Sequence, residues 1–394
     1  MKKILALALF AAACGDNIGP ATPPADSSLD AAPAQVRAIV VTPSNNFTPG
    51  QPGILSVLDL QTRTITMGAG PAMAVGSDPM LRKIGDELFI INRAENNITI
   101  LDAGDLHLVE QISTGAGTNP QDVAVIGNKL YVATFGNKGM VELTRGTTTT
   151  LEYDLGVGDP DGKPNCHSVY RVNTDLYVSC ELLDDTNANL PPRGVGKIYV
   201  VDSTSRLIKR TITLANVNPF GLLEQIPEHA PNAGDLVVPT INFGTGAGCV
   251  ERITVGASAA SAGCMVTNAQ LGNFTSRVEF YAPPFGGPVA GPVAGSAIVI
   301  PQVMYAVVPK PTFDGSDLRL WSFSTATLEP TPVNASTQSI GDVAVCPGGE
   351  VVMAEAPSSP TAGAGGLRVY APNDTSAPLP VGLKPASSHG LVCY

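Results

Sequence analysis

A strand-and-turn unit recurs along this chain, and a recurring unit that cannot bury its own apolar face constrains the fold more tightly than any composition does. One copy runs Asp86-Glu87-Leu88-Phe89-Ile90-Ile91, then Asn97-Ile98-Thr99-Ile100-Leu101-Asp102, then Leu108-Val109-Glu110-Gln111-Ile112. The next opens with Asn119-Pro120-Gln121-Asp122-Val123-Ala124-Val125 and continues into Lys129-Leu130-Tyr131-Val132-Ala133-Thr134. Strands equivalent to Tyr131-Val132 are anchored at Ile39, Leu88, Leu130, Leu176, Leu236, Ile298 and Val351. These anchors lie about 40–60 residues apart, with the longest intervals after the fourth and fifth. The strand that follows the anchor also recurs seven times: Leu55 to Leu60, Ile98 to Asp102, Met140 to Leu143, Lys197 to Asp202, Val250 to Val255, Leu318 to Phe323, and Leu367 to Tyr370. Two independent strands therefore give the same number of repeats.

Composition agrees with many short strands joined by turns: 41 Gly and 34 Pro punctuate the 394 residues, and only 14% are charged. The formal net charge of -11, without any Lys/Arg cluster, lacks the electrostatic footprint of a protein that tracks phosphate backbones. Nucleic acid and anionic membrane surfaces are not expected partners.

The first residues have the form of an export signal, with Lys2 and Lys3 ahead of an apolar run from Ile4 to Ala13 that is too short to span a bilayer. Ala11-Ala12-Ala13-Cys14 resembles the bacterial lipobox, in which the cysteine is acylated and becomes the new N-terminus, although Ala replaces the commoner Leu at the first position. The alternative is ordinary cleavage after Ala13, leaving a free thiol. Seven cysteines is an odd number, and acylation of Cys14 would leave six that can pair completely in an oxidising compartment. Asp16 is not directly beside the cysteine, which by resemblance to known lipoproteins implies outer-membrane sorting, facing the periplasm or the cell surface. From residue 14 to residue 35 the chain is Pro, Ala, Ser, Asp and Gly with almost no large apolar side chain, a tether reaching at most about 70 Å. The expected organisation is a signal peptide over 1–13, a lipidated tether over 14–35, and a folded body over 36–394.

Residues 84 to 145 closely resemble the YVTN repeat, whose Tyr-Val-Thr-Asn strand this sequence gives as Tyr131-Val132-Ala133-Thr134. The resemblance is looser elsewhere. It implies an all-β fold in which each repeat is one four-stranded antiparallel blade of a single, monomeric, seven-bladed β-propeller. The innermost strand precedes the anchor, as in the identical stretches Asp122-Val123-Ala124-Val125 and Asp342-Val343-Ala344-Val345. Ser387 to Cys393 resembles such a strand with no anchor behind it, so the anchor at Val36 to Val41 is its expected partner and the C-terminal strand closes the ring. On that layout Cys346 pairs with Cys393 across the closure, Cys166 with Cys180 within the fourth blade, and Cys249 with Cys264 within the fifth.

In propellers the loops leading into the innermost strand and those joining the second to the third share one face, around the mouth of the central channel. Cys180 to Gly196, Pro301 to Asp317 and Ala354 to Gly366 are insertions expected on that face, either functional or merely tolerated. Asp78, Asn119, Asp122, Asn165, His167, Asn218, Asp342 and His389 are the polar residues expected at the mouth, as ligand or divalent-cation contacts or as ordinary turn formers. His107 and His229 fall outside that ring, and the single Trp321 reads as packing in the sixth blade. No nucleophile elbow, phosphate loop or haem motif is present, and the Gly/Pro run from Pro284 to Gly295 lacks the Lys that a nucleotide cradle needs. Catalytic residues are thus unassigned. The leading expectation is a cell-envelope lipoprotein that binds or scaffolds a protein or polysaccharide without a cofactor. The alternative is a metal-dependent, lactonase-like hydrolase at the channel mouth, an analogy resting on fold alone.

Overall fold

The computed structural model describes residues 36–44, 47, 49–228, 230–271, 275, 277–281, 303–308, 319–324, 331–332, 339–348, 350–356, 366–369, 379–381 and 389–394. Cys14, the signal and tether segments, His229 and the Pro284–Gly295 run lie outside them, as does most of the Ala354–Gly366 insertion.

Strands β1 (Arg37–Thr42), β2 (Ile54–Asp59) and β3 (Thr64–Met67) come first. Four-stranded meanders follow: β4 (Pro79–Ile84), β5 (Glu87–Asn92), β6 (Asn97–Asp102) and β7 (Leu108–Ser113); β8 (Pro120–Ile126), β9 (Lys129–Thr134), β10 (Gly139–Thr144) and β11 (Thr150–Asp154); β12 (Cys166–Val172), β13 (Asp175–Cys180), β14 (Lys197–Asp202) and β15 (Ile208–Thr213). Next come β16 (Glu224–Gln225), β17 (Leu236–Pro239), β18 (Cys249–Ile253) and β19 (Ser261–Thr267), then one helical turn, α1 (Asn268–Leu271). The sixth set is β20 (Arg277–Tyr281), β21 (Val303–Val308), β22 (Arg319–Ser324) and β23 (Thr331–Pro332); the seventh is β24 (Ser339–Val345), β25 (Val351–Ala356), β26 (Gly366–Val369) and β27 (Leu379–Pro380). The last strand, β28 (Leu391–Cys393), joins β1 antiparallel and completes the first sheet in the order β28-β1-β2-β3. Every sheet among the described residues is thus four-stranded and antiparallel.

Burial explains the sequence pattern strand by strand. The second strand of a set is buried on both faces, which is why Leu-Phe-Ile-Ile of β5 and Leu-Tyr-Val-Ala of β9 are continuous apolar runs. The outermost strands β7, β11 and β15 bury a single residue each, Ile112, Tyr153 and Ile212. Asp59, Asp102 and Asp202 end the third strands because their carboxylates accept two backbone N–H groups of the turn that follows, as in Ser205 N to Asp202 Oδ1 at 2.7 Å.

The apolar clusters lie between consecutive sheets rather than within them. Tyr131 and Met140 pack on Val178 and Tyr199, joining the third and fourth sets. Equivalent clusters join the first to the second, second to third, fourth to fifth and fifth to sixth, and Val40 and Leu58 meet Val352 and Leu367 of the seventh. Fully buried aromatics such as Phe89, Tyr131 and Tyr177 contribute on the order of 2–3 kcal/mol each to these contacts.

The cysteines pair as the strand layout predicts: Cys166–Cys180, Cys249–Cys264 and Cys346–Cys393. One anchor is displaced. The second strand of the sixth set is Val303–Val308, paired with β20 and β22, rather than a strand at Ile298, so the Pro301–Asp317 segment is not one loop but contains β21. Both apolar runs have strand character; the pairing of Arg277–Tyr281 with Val303–Val308 selects the second. Ile298 lies outside the described residues, and Trp321 is described only as part of the β22 backbone.

Candidate functional site

The strand ends build one repeated frame. Asn119, Asn165, Asn218 and His389 stand just ahead of first strands with φ of 46°, 52°, 50° and 57°, a left-handed conformation that Asn, and less often His, tolerates. The carbonyl of the residue at this position accepts the N–H of the residue beyond the second strand: Asp78 from Arg93, Asn119 from Phe135, Asn165 from Glu181 and Asn218 from Ile241, at about 3.0–3.1 Å in each case. Two residues after the three asparagines come Gln121, His167 and Phe220. The frame thereby brings Arg93, Phe135 and Glu181 level with Gln121, His167 and Phe220 around one cavity of about 330 Å³, roofed by Asn189 and Leu190 of the 181–196 insertion and by Phe243.

His167 lines this cavity. It is 5% exposed, and its Nδ1 lies 3.0 Å from Glu181 Oε1, so Nδ1–H donates there; in the neutral tautomer that leaves Nε2 as an acceptor. Among the described residues that Nε2 has no partner, nor have Asn218 Oδ1 and Arg93 Nε, although all three are buried. Aromatic rings surround His167: His389 lies 6.2 Å away, Phe220 lies 5.5 Å away, and Phe243 crosses Phe220 edge-on at 5.4 Å and 84°. Arg93 is ion-paired to Asp78, which neutralises the one guanidinium in the lining.

Of the eight polar residues expected at the mouth, Asn119, His167 and Asn218 line the cavity; Asp78 and His389 stand directly behind it on Arg93 and His167. Asn165 instead ties down the long insertion, accepting from Leu183 N at 2.9 Å and donating to Asp185 at 2.8 Å. Asp122 and Asp342 lie deeper, at 0% exposure, and bind backbone. Asp122 accepts from Val123 N and from Val169 N of the next first strand; Asp342 accepts from Val343 N and from Leu391 N, again the next one. These carboxylates stitch neighbouring sheets together and do not face the cavity.

Below the cavity the first strands converge on buried charge. Arg82 of β4 binds Asp122 through two nitrogens and reaches Glu224 of β16, and Arg277 of β20 pairs with Glu279 and approaches Asp342. Burial pushes the Glu279 carboxyl up to about 7 and that of Asp342 up to about 6, against the attraction of Arg277. Burial, with Arg277 alongside, holds the His389 ring neutral, its pKa well below the ordinary 6.5. The only three metal-type side chains among the described residues with ligand atoms within 4.8 Å of one another are Asp102, Asp105 and His107, on a surface turn. The carboxylates and imidazoles expected at the mouth do not converge in that way.

Glu181, Phe135, Phe220 and Phe243 are absent from the sequence-based set. The first three carry a signal that went unused: they sit at fixed offsets from the Asn of each repeat. Phe243 has none, because it comes from a hairpin loop of another length.

Fold and site together define an all-β protein of propeller-type sheets with a small, aromatic-walled cavity where its strand-end loops meet. No protein-family model and no curated protein matches the chain. Among solved structures it is similar to 6-phosphogluconolactonase-like proteins of Bacteroides fragilis, at 12% identity and TM-score 0.57 over 92% of this chain and 98% of that one, and of Bacteroides uniformis, at 12% identity and TM-score 0.55 over 92% and 100%. Apo AztD from Citrobacter koseri is similar at 12% identity and TM-score 0.52, over 92% of this chain and 98% of that one. At such identity the likeness is one of fold.

Proposed function

We propose that this protein is an envelope lipoprotein whose body is a closed, seven-bladed binding propeller, anchored through Cys14 and holding its ligand in the cavity at the channel mouth. Closure is supported by the convergence of first strands: residues of β4, β8, β12, β16, β20, β24 and β28 line two adjoining cavities that share Arg82 and Glu224. Pairing of all six remaining cysteines fits an oxidising compartment and an acylated seventh.

The observation that carries binding is the set of buried, partnerless polar atoms on His167, Asn218 and Arg93, three residues that line one cavity. Such atoms are costly unless a ligand or ordered water completes them. Incubating the purified full chain with envelope extract, washing, and analysing what is released by mass spectrometry tests the reading. A defined species should be retained by the wild type and lost from His167→Ala and Phe243→Ala. Equal retention by all three would overturn it. Fractionation of cells expressing Cys14→Ala tests the anchor, with release into the soluble envelope fraction as the expected result.

A hydrolase is the second reading, favoured by one feature: Glu181 holds Nδ1 of His167, a cavity-lining residue whose Nε2 has no partner among the described residues, as an oriented base or metal ligand would be held. It requires either a stoichiometric metal lost on His167→Ala, seen by elemental analysis, or turnover of a lactone panel that the same substitution abolishes.

A further inference from the structure

We infer that the ligand of the mouth cavity is a neutral sugar ring, the exposed end residue of an envelope glycan; this rests on the binding reading above and names its chemical class. Three features of the cavity select that class. The first is hydrogen-bond character: Arg93 Nε–H can only donate, Asn218 Oδ1 can only accept, and His167 Nε2 accepts in the neutral ring. A hydroxyl both donates and accepts, so neighbouring hydroxyls of one polyol can complete all three.

The second is charge. Among the described residues of the lining the Arg93 guanidinium is the one cation and is held by Asp78, so none is left over for a phosphate or carboxylate, and one oxygen of Glu181 is already taken by the His167 N–H. The third is the shape of the aromatic wall. Phe220 and Phe243 cross at 84°, and His167 is tilted 35° from Phe220, so the rings form a bent wall rather than a parallel slot. A flat heteroaromatic needs such a slot for stacking, whereas a puckered ring places C–H groups against bent walls and hydroxyls on its edge. At about 330 Å³ the cavity sits at the low end of small-molecule sites, which suits a chain end rather than a strand of polymer crossing the face. Phe243, 52% exposed on the rim, leaves room for the rest of the glycan to extend outward.

Saturation-transfer NMR and calorimetry on the purified full chain test this, with glucose, galactose, mannose, rhamnose and N-acetylglucosamine, their methyl glycosides, cellobiose and chitobiose as probes. Glucose 6-phosphate, glucuronate and adenosine form the competing arm. At least one neutral sugar should bind with a Kd of about 1 mM or tighter, with saturation strongest on ring C–H protons. Full binding of the methyl glycoside identifies a glycan end, and preference for the free sugar identifies a soluble saccharide; either supports the class. His167→Ala and Phe243→Ala should each weaken binding about tenfold, and Phe243→Ala, on the exposed rim, should leave the thermal transition unchanged. Asn218→Gly keeps the left-handed backbone and should lose binding by a similar factor. The inference is overturned if no neutral sugar binds at about 10 mM, if the phosphorylated, acidic or planar probe binds more tightly, or if Phe243→Ala and His167→Ala bind as the wild type does. Tight binding of a competing probe, lost in those variants, would leave a binding cavity of another class.

Discussion

Asp122 and Asp342 occupy the same place in two identical Asp-Val-Ala-Val stretches, and each spends one oxygen on its own strand and the other on the next sheet. Asp122 additionally holds Arg82, 16% exposed, so removing it leaves a buried guanidinium with Glu224 alone. Asp122→Ala is expected to cost about 3–5 kcal/mol in urea denaturation; a loss below about 1 kcal/mol would contradict the stitching role. Glu279 behaves differently because burial keeps it protonated to about pH 7, while the unfolded chain ionises it near 4.5. The folded state therefore binds the extra proton between those values, so this group's contribution to stability is complete below about 4.5 and declines as pH rises to 7. Glu279→Gln is neutral throughout. Its melting temperature relative to the wild type should rise between pH 5 and pH 8, and a pH-independent difference would refute the assignment.

At the scale of elements, the repeated strands were readable because burial is periodic: a doubly buried second strand, a third strand ending at an Asp turn, an exposed outer strand. The three disulfides were readable for the same reason, since equivalent positions in a repeat are neighbours in space. β21 was not readable, because the apolar runs around Ile298 and over Val303–Val308 have equal strand character and only the pairing with Arg277–Tyr281 separates them. Disulfide energetics follow loop length. Cys346–Cys393 spans 47 residues and Cys166–Cys180 spans 14, so the double Ala variants should lose about 4 and about 3 kcal/mol in denaturant titrations under oxidising conditions. A larger loss at Cys166–Cys180 would show that local packing, not chain entropy, dominates.

For the whole molecule the decisive contact joins residues far apart in sequence. Arg37 and Tyr394 exchange both backbone hydrogen bonds, at 2.9 and 3.0 Å, and Leu391 reaches Asp342 of the preceding sheet. If the ring is closed there, deletion of 389–394 removes a strand, a disulfide partner and the Asp342 contact together. Differential scanning calorimetry should then show a melting temperature lower by more than about 10 °C and a broadened transition. An unchanged sharp transition would mean that the last strand is not needed to hold the sheets as one unit.

The sequence by itself determined the strand type and its repetition, the cysteine pairs and the meeting of the last strand with the first, because each depends on local burial or on equivalence between repeats. Only the tertiary structure decided which polar residues face a ligand. Asp122 and Asn119 are three positions apart, yet one is sealed against backbone and the other lines the cavity. Phe220 and Phe243 form one wall from separate loops. Which way a strand-end side chain turns depends on the neighbouring sheets, and no single repeat encodes that.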